Sequence, residues 1–270
     1  MLAFAGNSLL CRHALRPASI DPLHFAFLRV SAGAALLLLL SLSQPRVRTV
    51  RQCGSWCSAL ALSGYAIAFS LAYVALDAAT GTLILFAAVQ STMIGWAIAR
   101  GERPTARVWT GFGCANAGLA VLLLPGVSAP DPVGTAWMAI AGVSWGIYSL
   151  RGRGQQDPIS TTAANFLRAI PVCAVAAFAV APEPADGITI QGFGLAVTSG
   201  AITSGLGYVL WYAALARIKA TTAAMVQMTV PVLAAAGGVL WFDERPTIRL
   251  GASALLVLFG TRLVVTAHDR

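Results

Sequence analysis

The sequence predicts an all-α integral membrane protein with ten transmembrane helices, arranged as two inverted five-helix repeats. Its composition, its series of apolar runs and two phrases that occur twice support this prediction. Hydrophobic residues make up 57% of the 270 residues and charged residues only 10%, whereas a soluble domain carries about 25% charged residues. A single water-soluble core cannot hold this much apolar surface, so we expect lipid to surround the helices.

Apolar runs follow one another along the chain, and most approach the roughly 20 residues that a helix needs to cross a bilayer. Proline, glycine and charge separate them, as at Pro130-Asp131-Pro132. The predicted spans are residues 1–16, 23–43, 53–76, 80–99, 106–125, 132–150, 159–181, 190–216, 220–242 and 247–266. The first span is short, and we expect either that the native start lies upstream or that this copy of the helix is clipped.

Two short phrases recur in the same order after about 140 residues. Phe27-Leu28-Arg29 returns as Phe166-Leu167-Arg168, and Glu102-Arg103-Pro104 returns as Glu244-Arg245-Pro246. We therefore predict one repeat over residues 1–127 and a second over residues 132–266. Because each repeat has an odd number of spans, the second enters the membrane from the opposite side. Inverted repeats are typical of carriers that bind their substrate between two halves.

The charges of the loops separate between the two sides of the membrane. One side receives Arg46, Arg48, Arg51, Arg100, Arg103, Arg107, Arg151, Arg153, Arg217 and Lys219. The other receives Asp21, Asp77, Asp131, Glu183, Asp186, Asp243 and Glu244, with Arg16, Arg245 and Arg249 opposing them. Basic loops face the cytoplasm, so we expect both termini there and the chain in the inner (plasma) membrane.

Several short phrases in a fixed order carry a family resemblance. The first half contains Gly6-Asn7, Asp21-Pro22 before Phe27-Leu28-Arg29, and Tyr73-Val74-Ala75-Leu76. The second half contains Trp145-Gly146, Asp157-Pro158 before Phe166-Leu167-Arg168, Tyr212-Ala213-Ala214-Leu215, and Pro231 before Asp243-Glu244-Arg245-Pro246. In these the chain resembles the drug/metabolite transporter superfamily, specifically the EamA-type carriers with ten helices. The resemblance implies an inner-membrane carrier, often an exporter of amino acids or other small metabolites. Ala5 stands where the family pattern has Trp.

Polar and aromatic side chains deep in the spans are the candidate binding residues. Amide side chains there need hydrogen-bond partners, because lipid offers none. They could line a polar central cavity or only join helices. The candidate substrate-binding residues are Asn7, Gln90, Trp145, Tyr148, Tyr208, Trp211 and Gln227. Asn116, Asn165 and Tyr65 are further members of the set, whereas Trp56, Trp109 and Trp241 fit the aromatic belt at the membrane surface.

Three arginines near the ends of spans have structural and functional interpretations. We expect Arg29 and Arg168 to reach back to the membrane surface or to cap a neighbouring helix. Contact with a substrate carboxylate is the alternative, since charge inside a span is costly and often functional. For Arg12 we expect a solvated position at the outer end of the first span.

The sequence favours a small-molecule transporter that works by alternating access. It offers no cluster for a metal or catalytic site, so we predict no cofactor and no enzyme activity. No carboxylate lies in the middle of a predicted span, which favours facilitated transport over proton coupling. We expect a small-molecule substrate and the bilayer as partners, with no nucleic acid and a homodimer left open. A membrane scaffold, or a carrier of nucleotide-sugar or lipid-linked solutes, is the alternative. A carrier should hold a water-filled centre and a scaffold a packed one.

Overall fold

A computed structural model describes residues 1–15, 19–43, 53–123, 129–155, 157–180, 188–218, 220–242 and 247–265. All regular secondary structure in these ranges is helical. The ten helical spans are α1 Leu2–Leu15, α2 Pro22–Leu42, α3 Trp56–Ala72, α4 Ala78–Ala99, α5 Ala106–Leu123, α6 Pro132–Gly152, α7 Pro158–Val175 with a π-helix Ala176–Val180, α8 Ile190–Leu215 with a π-helical segment Ser199–Leu206, α9 in two pieces Ala220–Gln227 and Val230–Phe242, and α10 Ile248–Val265.

Five of these spans, α2, α4, α6, α7 and α8, are long and apolar enough to cross a membrane on their own. The predicted helical membrane fold is confirmed, but some boundaries differ. Helix α3 begins at Trp56 because the Ser55 side chain accepts a hydrogen bond from the backbone N–H of Ser58 (3.2 Å) and caps it. The predicted span over residues 220–242 is interrupted just before Pro231, where proline lacks the N–H that an uninterrupted helix needs.

The carboxylates of the described ranges lie at helix ends. Asp21, Asp131 and Asp157 cap α2, α6 and α7, and a proline follows each of them at the first helical position. Asp77 precedes α4, and Glu102 lies in the loop after it. Within the described residues, therefore, no acidic side chain lies inside a span. The predicted acidic residues Glu183, Asp186, Asp243 and Glu244 fall outside these ranges.

The packing of the helices follows the repeat. Helix α2 packs against α7, α4 against α9 and α5 against α10, so each of these helices meets its counterpart from the other half. Helix α3 packs against α6, as α1 packs against α8. This pattern is what a twofold relation between two inverted five-helix units produces. The centre of the bundle is thus formed by α1, α3, α6 and α8, two helices from each half.

Small residues bring α6 close to α4. A Cβ atom on Gly142 would collide with the carbonyl oxygen of Leu85 and lie 2.6 Å from the Cβ of Ala88. One on Gly146 would lie 2.9 Å from the Cβ of Thr92. The two glycines form the G-x-x-x-G spacing that lets membrane helices approach closely. This contact places the next turn of α6, which carries Trp145 and Tyr148, at the centre of the bundle.

We predict that Gly142→Ala destabilises the protein by about 1–3 kcal/mol, because an added methyl group must push α6 away from α4. Gly95→Ala is the matched control, since Gly95 lies on α4 with no atom near its absent side chain. The control should be neutral or slightly stabilising. Thermal unfolding in detergent measures both. Equal melting temperatures for the two variants would contradict the close approach of α6 and α4.

Candidate functional site

A cluster of aromatic rings occupies the centre of the bundle. The Trp145 ring of α6 lies 4.6 Å from that of Tyr208, 5.1 Å from Tyr65 and 5.4 Å from Phe4, centroid to centroid. The Tyr148 ring is 5.8 Å from Trp145. All of these rings are buried. The name aromatic cluster is used below for Phe4, Tyr65, Phe69, Trp145, Tyr148, Tyr208 and Trp211, which come from α1, α3, α6 and α8.

The polar tips of α8 aromatics bind the neighbouring turn of α6. Trp211 Nε1 donates to Ser149 Oγ (3.4 Å), and the hydroxyl of Tyr212 donates to the carbonyl oxygen of Tyr148 (3.3 Å). The Phe4 ring also contacts that of Trp211, at 5.8 Å. The predicted residues of α6 and α8 are thereby brought together in one site.

Asn7 joins the first helix to both halves. Its Nδ2 donates to the hydroxyl of Tyr65 on α3 (3.0 Å). Its Oδ1 accepts hydrogen bonds from Ser199 Oγ (2.6 Å) and Thr203 Oγ1 (3.2 Å). Ser199 and Thr203 lie in the π-helical segment of α8, a local distortion that often marks functional positions. Both the oxygen and the nitrogen of the Asn7 amide therefore bond inside the protein.

Gln227 ends the first piece of α9 and binds the aromatic cluster directly. Trp145 Nε1 donates to Gln227 Oε1 (2.7 Å). Gln227 Nε2 lies 3.5 Å from the sulfur of Met93 and 3.4 Å from the carbonyl oxygen of Ala223. Gln90, also buried, lies one turn before Met93 on α4. The two glutamines thus occupy the facing helices α4 and α9, next to the centre.

The space among the rings is small. A cavity lined by Phe4, Tyr65, Phe69, Leu85, Phe86 and Trp145 has a volume of about 10 Å³, which is room for one water molecule. The expected polar, water-filled cavity is therefore wrong for this part of the bundle in this conformation. The reason is that large aromatic rings from both halves, rather than amide groups, fill the space.

Arg29 does not reach the membrane surface, contrary to expectation. It is 1% exposed, and its guanidinium carbon lies 5.0 Å from the ring centre of Tyr65 and 5.1 Å from that of Phe69. Arg168, at the corresponding place of the second repeat, donates from Nη1 to the carbonyl oxygens of Cys53 (2.8 Å) and Ala164 (3.1 Å). Arg168 thus donates to the backbone of its own helix and of the segment before α3, whereas Arg29 points its charge into the bundle.

Arg12 is also buried, so its expected solvated position is wrong. It donates to the carbonyl oxygen of Tyr73 and to Asp77 Oδ1, both at 3.0 Å. The two further predicted amides have different surroundings. Asn116 Nδ2 donates to the carbonyl oxygen of Phe112 on its own helix (2.8 Å). Asn165 Oδ1 accepts from the N–H of Ser55 at the start of α3 (2.9 Å), and its side chain also lies beside the hydroxyl of Tyr148 in the aromatic cluster.

Four residues of the site were not among the predicted ones. Phe4 and Phe69 complete the aromatic cluster, and Ser199 and Thr203 satisfy Asn7. Phe4 stands three residues from Asn7, and Phe69 stands four residues from Tyr65. Positions at this spacing share one helix face, so the spacing was a signal that could have found these two. Ser199 and Thr203 stand five or more residues from Tyr208, the nearest predicted residue of α8, so this signal did not point to them.

Comparison with known proteins identifies the chain. Residues 132–266 match the model of the EamA-like transporter family. The chain belongs to the EamA-like transporter family. It is a multi-pass membrane transporter and not an enzyme, which confirms the predicted family and class.

Two relatives of this EamA-like chain extend over nearly its whole length, and a third covers about half of it. An uncharacterized protein of Pseudomonas aeruginosa is 46% identical over 267 residues, covering 98% of this chain and 91% of that protein. An uncharacterized transporter of Archaeoglobus fulgidus is 26% identical over 100% of this chain and 96% of its own. The uncharacterized transporter YoaV of Bacillus subtilis is 30% identical over 130 residues, 47% of this chain and 44% of that protein.

A solved crystal structure has the same fold. It superimposes with a TM-score of 0.76 at 19% identity, covering 100% of this chain and 98% of the other. At this identity the likeness concerns the fold alone.

We predict that Asn7→Leu destabilises the transporter by about 1–3 kcal/mol, because the hydroxyls of Tyr65, Ser199 and Thr203 lose their shared partner in a water-free interior. Asn116→Leu is the matched control, since Asn116 bonds only to its own helix. It should change stability little. Melting temperatures in detergent compare the two variants, and an equal loss in both would argue against the cross-bundle role of Asn7.

Proposed function

We propose that this transporter moves a small metabolite, an amino acid or a similar solute, by alternating access between the repeats of residues 1–127 and 132–266. The aromatic cluster carries the proposal, since helices of both halves build it and amide groups border it. Solute sites typically combine aromatic walls with a few polar groups that fix orientation. The proposed binding residues are Asn7, Gln90, Trp145, Tyr148, Tyr208, Trp211 and Gln227.

The links between the halves support a mechanism in which either end can open. At the end that carries Arg151, its Nε donates to Ser58 Oγ (3.0 Å) across the two halves. At the opposite end, the hydroxyl of Thr189 donates to the carbonyl oxygen of Ser19 (2.9 Å). A neutral hydrogen bond contributes about 0.5–1.5 kcal/mol, and one from a charged group about 1.5–3 kcal/mol. Breaking the links at one end while the other stays closed is therefore energetically feasible.

A solute enters the aromatic cluster only when rings of the two halves move apart, because the present cavity holds one water molecule. The solute then replaces contacts that the rings make with one another. Proton coupling is not required by this scheme, since the carboxylates of the described ranges lie at helix ends, away from the cluster. Facilitated export across the inner membrane is the resulting proposal.

Counterflow in proteoliposomes tests this function. We expect liposomes that contain the wild-type protein and a mixed pool of amino acids and small metabolites to exchange at least one solute with no pH gradient applied. Trp145→Ala should lower that exchange by more than about tenfold, the loss typical of a central aromatic contact. Mass spectrometry of the trapped solutes provides the measurement.

Trp109→Ala is the control for that experiment, because Trp109 is half exposed on α5 and contacts Phe112 rather than the aromatic cluster. It should exchange like the wild type. A folded wild-type protein that exchanges no solute, with or without a gradient, would favour the scaffold alternative. Exchange that Trp145→Ala retains in full would place the solute outside the cluster.

The proposed orientation, with both termini in the cytoplasm, is testable by thiol labelling. Ala129 and Gln155 are exposed and lie at opposite ends of α6. In a protein whose native cysteines are replaced, Ala129→Cys should react with an impermeant maleimide in intact cells. Gln155→Cys should react only after the cells are permeabilised, because basic loops face the cytoplasm. The reverse labelling pattern would invert the orientation.

A further inference from the structure

Arg29 carries a positive charge that no acidic group of the described chain neutralises. Its Nη1 is buried and makes no hydrogen bond. The titratable side chains that interact with this charge are the phenols of Tyr65 and Tyr208 and the thiols of Cys11 and Cys173. Phenols and thiols are uncharged at neutral pH, whereas a guanidinium stays protonated in proteins. Within the described residues its compensation comes from neutral groups: the guanidinium stacks on Tyr65 and Phe69, and the Tyr65 hydroxyl lies within hydrogen-bond reach.

The charge lies directly behind the wall of the central cavity. Tyr65 and Phe69, which stack on the guanidinium, are two of the residues that line that cavity. The hydroxyls of Tyr148 and Tyr208 belong to the same cluster and make no hydrogen bond of good geometry, although other side chains lie beside them: Tyr65 beside Tyr208, and Thr162, Asn165 and Tyr212 beside Tyr148. A buried guanidinium N–H without an acceptor is unusual, because buried polar groups nearly always find partners.

The packing of α2 keeps Arg29 in this place. A Cβ atom on Gly200 of α8 would collide with the carbonyl oxygen of Arg29. One on Gly33 would lie 2.9 Å from the carbonyl oxygen of Gly200. The backbone of α2 is therefore fixed against α8 at the level of Arg29, and its side chain stays within the bundle. The burial of Arg29 is therefore a consequence of how α2 packs against α8.

We propose that Arg29 binds the anionic group of the transported solute, so that the substrate is a small organic acid with a single carboxylate, such as an amino acid. This inference rests on the proposed transport function and deepens it. A guanidinium offers two parallel N–H groups that match the two oxygens of a carboxylate. One cation balances one negative charge, which argues against a nucleotide-sugar diphosphate at this place. The hydroxyls of Tyr148 and Tyr208 supply further donors to the same acid.

The experiment compares acids with their neutralised counterparts. Proteoliposomes are offered an equimolar pool of L-amino acids together with the corresponding amino-acid carboxamides, and counterflow of each is measured by mass spectrometry. The wild type should exchange one or more acids in roughly tenfold or greater preference to their carboxamides. Arg29→Met, which keeps similar bulk, should lower exchange of the acid by roughly 10- to 100-fold, the loss expected for a charged hydrogen bond. It should leave carboxamide exchange within about threefold.

Two further variants separate binding from packing. Arg29→Lys retains the charge and should keep a preference for the acid, even where Arg29→Met proves too unstable to assay. Arg168→Met is the matched control, because Arg168 holds the same place in the second repeat and donates to the backbone carbonyls of Cys53 and Ala164. Its ratio of acid to carboxamide exchange should equal that of the wild type.

The outcomes separate the two proposals. Exchange of carboxamides as fast as acids by the wild type, or an unchanged acid preference in Arg29→Met, would overturn the role of Arg29 while leaving the transport function standing. An equal loss of both solute classes in Arg29→Met leaves the acid preference unchanged, and this result would reduce Arg29 to a packing residue. A folded wild type that exchanges nothing would remove both proposals.

Discussion

Polar side chains in the interior of this protein can be satisfied only by other parts of the chain, because lipid offers no hydrogen bonds. Asn7 meets this constraint by binding Tyr65 in its own half and Ser199 and Thr203 in the other. The indole of Trp145 meets it through Gln227. The fit of α1, α3, α6, α8 and α9 around the centre depends on these few bonds, and the aromatic rings pack in the space that they define.

Two of the three backbone irregularities in the described helices occur where this constraint is met, whereas the third, the π-helix Ala176–Val180, ends α7. The π-helical segment of α8 carries Ser199 and Thr203, and α9 is interrupted directly after Gln227. An irregular turn in a membrane helix leaves backbone groups that need other partners, so it is tolerated only inside protein or beside a cavity. Both irregularities lie against the centre of the bundle. They are therefore consistent with a region that changes its contacts, rather than with defects in outer helices.

The fold could be predicted from the sequence because composition and span length depend on the bilayer and not on tertiary detail. The site could be predicted only in part. Trp145 and Gln227 stood out as polar or aromatic groups deep in apolar runs. Arg29 and Arg168 occur in the same Phe-Leu-Arg phrase, yet the charge of Arg29 points into the bundle and Arg168 donates a hydrogen bond to a backbone carbonyl. Their difference comes from neighbouring helices, such as the close approach at Gly200, and no local pattern records it.

The different roles of Arg29 and Arg168 bear on how binding of the solute is linked to the movement of the two halves. In the packed state the amide oxygens of Asn7 and Gln227 accept hydrogen bonds from the protein, whereas Arg29 Nη1 makes none. Under the proposed mechanism, an acid bound at Arg29 between the separated rings supplies the acceptor that this donor lacks and lowers the free energy of the occluded state. The loaded carrier then passes through that state more easily than the empty one. The solute itself, rather than a titrating carboxylate, thereby couples the movement of the two halves to transport.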